Sequence, residues 1–224
     1  VRAMTSSSSP GVSLKAEGIS YMAGSDLPAV IINVQRGGPG LGSIQPAQSD
    51  YFQATKAVGH GDFHVMVYAP CSVQEMVDAV TLAFDKADEY RVPVMILADG
   101  LLGQMMEPVI LPEEKPVEFT EKDWAVTGTK MERPHNIVNS LFLKPEDLEV
   151  ENIKRYQRYA EIEKNEVMYE EYLMDDADIC ITAFGVSARV AKNAIDAARA
   201  EGIKAGMIRP ITLWPFPKKP LLAA

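Results

Sequence analysis

A parallel α/β fold is predicted by three features of the sequence. Short apolar, β-branched runs (Val30 to Val34, Val65 to Ala69 and Pro93 to Ala98) have the look of strands buried on both faces. Longer stretches with helix start signals separate them through residues 1–106, and that alternation gives a parallel sheet with helices on both sides. The run ending at Val34 also discharges into a loop with four glycines and two prolines in eleven residues, Arg36 to Pro46. In open α/β sheets ligands gather beyond the carboxyl ends of strands, where this loop must lie.

Composition narrows the function before any motif is weighed. The chain has 224 residues, 47% of them hydrophobic, enough for one large or two modest cores. Its net charge is −9, from 22 basic and 31 acidic residues, which argues against nucleic acid and against an anionic membrane surface as partners. No apolar run approaches the ~20 residues of a membrane span. The opening Val1-Arg2-Ala3-Met4-Thr5 lacks the charged-then-apolar pattern of a signal peptide. Cys71 and Cys180 stand far apart, too few for this chain alone to hold an iron–sulfur cluster. A reduced, cytoplasmic α/β protein is expected.

Taken in order, Val1 to Thr5 reads as the end of a strand. Ser9 before Pro10 is a helix start, with Ser capping free amides and Pro suiting the first turn. That helix is expected to reach about Ala23, with Leu14, Gly18, Tyr21 and Met22 inward. A serine-rich loop at a helix N-terminus serves as a cap or cradles an anion or polar ring. Arg36, at the exit of the next strand, has the planar fork that grips a carboxylate or phosphate bidentately, unless it is an ordinary surface arginine. Ser49-Asp50 opens a helix through about Val58. His60 and His64 are four apart, but Gly59 and Gly61 break the helix that would align them, so a structural role is expected rather than a metal.

Ser72-Val73-Gln74-Glu75 is a capping box, and its helix is expected to end near Tyr90. Asp99 sits at the carboxyl end of the strand that follows. From Glu107 to Pro145 five prolines punctuate a stretch without periodicity, read as a connecting arm. Residues 146–174 read as a charged helix docked by Ile153, Tyr156, Ala160 and Val167. Asp178 to Ala183, an Ala-rich helix over Ser187 to Glu201, and Ala205 to Ile208 form a βαβ unit too small to bury both its faces alone. Three segments follow: 1–111, a connecting arm with helix over 112–174, and 175–224.

Several familiar sites fail on inspection. Gly37 to Gly42 has P-loop glycine spacing, but Ser43-Ile44 replaces the required Lys-Ser/Thr. Neither a G-x-G-x-x-G fingerprint nor a nucleophile elbow, H-E-x-x-H or C-x-x-C occurs. The residues alone therefore reach an α/β protein with an anion-receptive loop.

Taken together, Met4-Thr5-Ser6-Ser7-Ser8-Ser9-Pro10-Gly11, Leu27-Pro28-Ala29-Val30, the Gln35-to-Gln48 loop, Gly59-His60-Gly61-Asp62, Pro93-to-Gly100 and Arg209-to-Pro215 go further. In that order they resemble the alpha subunits of 2-oxoacid:ferredoxin oxidoreductases, above all the branched-chain (2-ketoisovalerate) type, and the similarity runs over the whole chain. The resemblance implies a thiamine diphosphate pyrimidine-binding domain in the first segment and the start of a transketolase C-terminal-like domain in the last. It implies that Arg36 holds the carboxylate of a 2-oxo acid. The turn Ser8, Ser9, Pro10 and Gly11 would then lie near the cofactor's aminopyrimidine ring, with Gln53 a further pocket residue.

The same resemblance assigns other parts elsewhere. The family's catalytic glutamate would lie upstream of Val1, so no catalytic residue and no metal ligand is expected here. The magnesium-dependent diphosphate site would belong to a beta subunit. The iron–sulfur clusters that pass electrons to ferredoxin would belong to other subunits; beta, gamma and delta subunits would be this chain's partners, and coenzyme A would take the acyl group in the assembled complex. A 2-oxoglutarate or pyruvate enzyme of the same family is the alternative, and a non-catalytic α/β assembly module the alternative from another class.

Overall fold

The computed structural model describes residues 1–56, 59–113 and 121–224. Its first half alternates as expected: β1 (Met4–Ser7), α1 (Pro10–Gly24), β2 (Ala29–Gln35), α2 (Tyr51–Lys56), β3 (Met66–Tyr68), α3 (Val73–Tyr90) and β4 (Pro93–Asp99). The sheet runs β1-β2-β4-β3 in parallel, with Met4 opposite Val30 and Ala29 opposite Pro93 setting the register. All seven residues of β4 are buried, as are Val30 and Ile31 of β2, the pattern of strands covered on both faces. Asp99 Oδ1 accepts the backbone N–H groups of Leu101 and Leu102, so the chain turns as soon as β4 ends.

The capping box at the start of α3 forms with one change of partner. Ser72 Oγ accepts the Glu75 N–H at 3.1 Å, while the Glu75 carboxylate accepts from the Cys71 N–H at 2.8 Å, one residue further back than the cap itself. Arg91, in the left-handed conformation at φ 51°, closes the helix. Ser72→Ala is expected to cost about 1 kcal/mol of stability, read as a lower midpoint in denaturant at unchanged slope.

Two helices turn a different face inward from the one expected. In α1 the buried residues are Val12, Ile19, Ser20 and Ala23, whereas Leu14 and Tyr21 are exposed. Ser20 Oγ donates to the His60 carbonyl, so a polar residue sits on the inner side with its partner supplied. The second helix ends at Lys56; the expectation that it continues to Val58 falls on positions outside the described residues. The charged helix, α4 (Pro145–Asn165), buries Arg155, Tyr159 and Ile162 and leaves Ile153, Tyr156 and Ala160 exposed. Arg155 earns its buried place by donating to the Gly24 carbonyl at the end of α1 (3.1 Å), with Asp26 beside it.

Residues 166–174, expected to continue the charged helix, are not helical. Tyr169–Tyr172 form β5, which pairs antiparallel with β7 (Ala205–Pro210), and β7 pairs parallel with β6 (Ile179–Thr182) in a three-stranded sheet. Helix α5 (Gly185–Ala200) connects β6 to β7. Strand β8 (Thr212–Trp214) then leaves that unit and joins the first sheet antiparallel to β3. Sheet membership thus crosses the expected segment boundaries at both β5 and β8. Helix α5 and β7 close a small core of their own, Ala188 and Ile195 against Ala205 and Met207, and a last helix, α6 (Lys218–Ala223), follows.

His64 has the structural role expected of it. Its ring stacks flat on Trp214 of β8, centroids 4.6 Å apart and planes within 11°, and meets the edge of Tyr159 from α4. Burial pushes its pKa down, so the neutral ring is what the cluster holds. His60 stands apart and exposed. No helix among the described residues is long and apolar enough to cross a membrane.

Candidate functional site

The site assembles where β1 and β2 end. Asn33 and Gln35 project from β2, both fully buried, into a polar layer that a purely structural strand would not carry. Asn33 Oδ1 accepts the Ser9 N–H at 2.9 Å, and its amide donates to Asp50 Oδ2 (3.0 Å) and Gln53 Oε1 (3.1 Å). Gln35 Oε1 accepts the Asp50 N–H at 3.1 Å. Ser9 has φ 37°, an uncommon value for a residue with a Cβ, and bonds from β2 and α2 hold it there. Its side chain does not cap α1. The hydroxyl donates instead to Asp50 Oδ2 at 2.6 Å and accepts the Arg36 N–H at 3.0 Å.

Arg36 is clamped at its main chain. Besides the bond to Ser9, its carbonyl accepts from Ser49 Oγ at 2.7 Å. The guanidinium folds onto its own loop, Nη1 donating to the carbonyls of Leu41 and Ser43. Bonds from Gly37 N–H to the Gln45 carbonyl (3.0 Å) and from Ser43 N–H to the Gly37 carbonyl (2.8 Å) close that loop. Gly42 is obligatory at φ +59°: a Cβ there would lie 1.9 Å from the Gly37 carbonyl oxygen. At the far end Gln48 donates to the Phe184 carbonyl (2.7 Å) and accepts from Ser187 Oγ (2.8 Å), tying the loop to the start of α5.

Between the serine turn and this loop lies a cavity of about 650 Å³. Ser9, Pro10, Ser13, Gly37 to Gly40, Ser49, Asp50 and Gln53 line it. The structure therefore brings Ser9, Pro10 and Gln53 to one wall and the arginine loop to the other. Ser8 and Gly11 flank that wall without lining it, and Ser8 Oγ is buried with no partner among the described residues. Arg36 itself is absent from the lining, and its guanidinium bonds to the carbonyls of Leu41 and Ser43, which do not line the cavity either. Asn33 and Asp50 were missed as site residues. Asn33 carried a signal, since a polar residue at alternate positions of an otherwise apolar strand marks a side that needs partners; Asp50, outside any strand, carried none.

The lining is hydroxyls, amides, glycine backbone and one carboxylate, with no lysine or arginine side chain among the described residues. Such a donor and acceptor set fits a neutral polar ring and does not fit a diphosphate, which needs cations or a metal. A pyrimidine ring is within what this wall can hold. The diphosphate end of a thiamine cofactor is not.

Residues 1–172 match the family described as pyruvate flavodoxin/ferredoxin oxidoreductase, thiamine diphosphate-binding, and residues 177–224 match pyruvate:ferredoxin oxidoreductase core domain II. The chain is 55% identical over 216 residues to ketoisovalerate oxidoreductase subunit VorB of Methanothermobacter thermautotrophicus, an alignment covering 96% of this chain and 61% of that protein. It is 33% identical over 241 residues to 2-oxoglutarate synthase subunit KorA of Methanocaldococcus jannaschii, covering 97% and 65%. A solved 2-oxoglutarate:ferredoxin oxidoreductase from Magnetococcus marinus, with 2-oxoglutarate, coenzyme A and succinyl-CoA bound, superposes with a TM-score of 0.76 at 26% identity. That match covers 96% of this chain and 42% of the solved one. The chain spans about three fifths of the length of the two VorB relatives it matches.

Proposed function

Because the chain belongs to the pyruvate flavodoxin/ferredoxin oxidoreductase family, its thiamine diphosphate-binding region matching residues 1–172, we propose that it is part of the alpha subunit of a cytoplasmic 2-oxo acid:ferredoxin oxidoreductase. The assembled enzyme oxidatively decarboxylates a branched-chain 2-oxo acid to its acyl-CoA, with electrons leaving for ferredoxin. Its beta subunit supplies the diphosphate and magnesium site, and the iron–sulfur clusters reside on other subunits. The observation that carries the reading is the shared cavity: the turn expected at the cofactor ring and the loop expected at the substrate line one space.

Thiamine diphosphate, when bound, supplies the nucleophilic carbon and the electron sink that decarboxylation needs. This chain's own residues bind and orient. Ser9, Pro10 and Gln53 would hold the ring edge, with Ser8 and Gly11 shaping the turn beneath it. Arg36 would fix the substrate carboxylate, so that the carbonyl is presented in one orientation.

The branched-chain assignment rests on the gap between 55% identity to the ketoisovalerate subunit and 33% to the 2-oxoglutarate subunit. With the purified complex, kcat/KM for 2-oxoisovalerate should exceed that for 2-oxoglutarate by roughly 100-fold, since a pocket fitted to an apolar branch leaves a second carboxylate without partners. A preference for 2-oxoglutarate would move the protein to the other branch of the family, the one to which the solved neighbour belongs.

A further inference from the structure

We propose that Asp50 is a positioning residue for the 2-oxo acid, acting on Arg36 through the hydroxyl of Ser9. The inference rests on the assignment of Arg36 to the substrate carboxylate. Asp50 is 8% exposed, and among the described residues no lysine, arginine or histidine pairs with it. A carboxylate buried without a cation is expensive to desolvate, and its hydrogen bonds must compensate. One oxygen, Oδ2, takes both: Ser9 Oγ at 2.6 Å and Asn33 Nδ2 at 3.0 Å.

The shorter of these decides where the serine proton lies. A hydroxyl has one hydrogen, and a 2.6 Å contact to the carboxyl oxygen outcompetes the 3.4 Å alternative to the Arg36 carbonyl. With its proton committed to Asp50, Ser9 Oγ offers its lone pair to the Arg36 N–H at 3.0 Å. A directed chain results, from Arg36 N–H to Ser9 Oγ and from Ser9 O–H to Asp50. Asp50 is itself anchored to β2 by its own N–H on Gln35 and by Asn33. The carboxylate thus sets the direction of a relay that fixes where the arginine leaves the sheet. A displacement of ~1 Å at such a point can cost on the order of 100-fold in rate.

The other oxygen of Asp50 makes no hydrogen bond among the described residues, and Asp50 lines the cavity. A direct role there, on a bound ring or a proton, is the rival that an experiment must separate. Asp50→Asn does so, because an amide keeps an acceptor oxygen for Ser9 and Asn33 and loses the charge and basicity.

The test uses the complete complex carrying Asp50→Ala, Asp50→Asn, Ser9→Ala or Arg36→Ala, with KM measured for the 2-oxo acid and for coenzyme A and thermal unfolding followed in parallel. Asp50→Ala should raise the oxo-acid KM about tenfold or more and leave the coenzyme A KM within about twofold. Asp50→Asn should recover most of the loss, and Asp50→Ala combined with Ser9→Ala should be little worse than either alone. The proposal is overturned if Asp50→Asn is as damaged as Asp50→Ala, if the two KM values rise together with a fall in melting temperature, or if the oxo-acid KM does not move. Should Asp50→Ala fail to assemble, Asp50→Asn and Ser9→Ala decide: a near-normal Asn beside an Ala with raised oxo-acid KM supports the relay, and any other pairing defeats it. An unchanged KM in Arg36→Ala would instead remove the substrate assignment underneath. A raised KM in Arg36→Ala with normal Asp50→Ala removes this inference alone.

Discussion

Glu75→Ala should lower stability by about 3 kcal/mol, the largest loss expected of any single side chain that bridges the two sheets. Arg209, at the end of β7, is 1% exposed and donates Nη2 to both carboxylate oxygens of Glu75 at 2.9 Å. Its Nη1 contacts the Cys71 sulfur, and its Nε is buried without a partner among the described residues. Removing Glu75 leaves that guanidinium in the interior with Glu170, 3.4 Å away, as its one counter-charge among the described residues. The loss falls at the low end for broken buried pairs because Glu170 remains and Glu75 is itself partly solvated. Arg209→Met should cost far less, on the order of 1 kcal/mol, since the freed Glu75 can reach water while the unpartnered nitrogen disappears. Equilibrium unfolding of the two variants checks the asymmetry; equal losses would mean that the pair acts through packing alone.

That pair also shows what the sequence hid. Glu75 was legible as the third residue after a cap, and it fills that place, yet its second task depends on an arginine 134 positions away. Strand β8 was unreadable for the same reason. Three residues have no period, and only a vacant edge beside β3 makes them a strand. The parallel core, by contrast, was plain in the β-branched runs, because strands buried on both faces must be apolar at every position.

Helix faces failed where a buried polar residue did the docking. Hydropathy places Arg155 in solvent and Tyr156 inside, but Arg155 caps the carbonyl end of α1 and thereby rotates α4 to bury Tyr159 and Ile162. Ser20 turns α1 in the same way. The candidate site repeats the lesson. The loop's glycines and the serine turn were visible because backbone conformation demands particular residues. Asp50, whose value lies wholly in partners brought from elsewhere, was not.

Arg36→Ala should lower kcat/KM for the 2-oxo acid by about 100-fold or more in the assembled enzyme, raising KM and reducing turnover together. The proposed role asks for a free guanidinium edge, although the side chain does not line the cavity. Nη1 is spent on the Leu41 and Ser43 carbonyls. That leaves the edge formed by Nε and Nη2, whose parallel N–H bonds match a carboxylate. The loop latch therefore leaves that edge without a partner among the described residues. It also accounts for the demand for Gly42, since any Cβ there would force apart the turn that carries both latching carbonyls. Arg36→Lys keeps a positive charge and loses both the latch and the fork, so it should recover only a minor part of the lost kcat/KM. If lysine restores full activity, charge alone suffices and the bidentate geometry is irrelevant. If alanine leaves both constants unchanged, the carboxylate is held by another group, and the loop's architecture serves some purpose other than substrate capture.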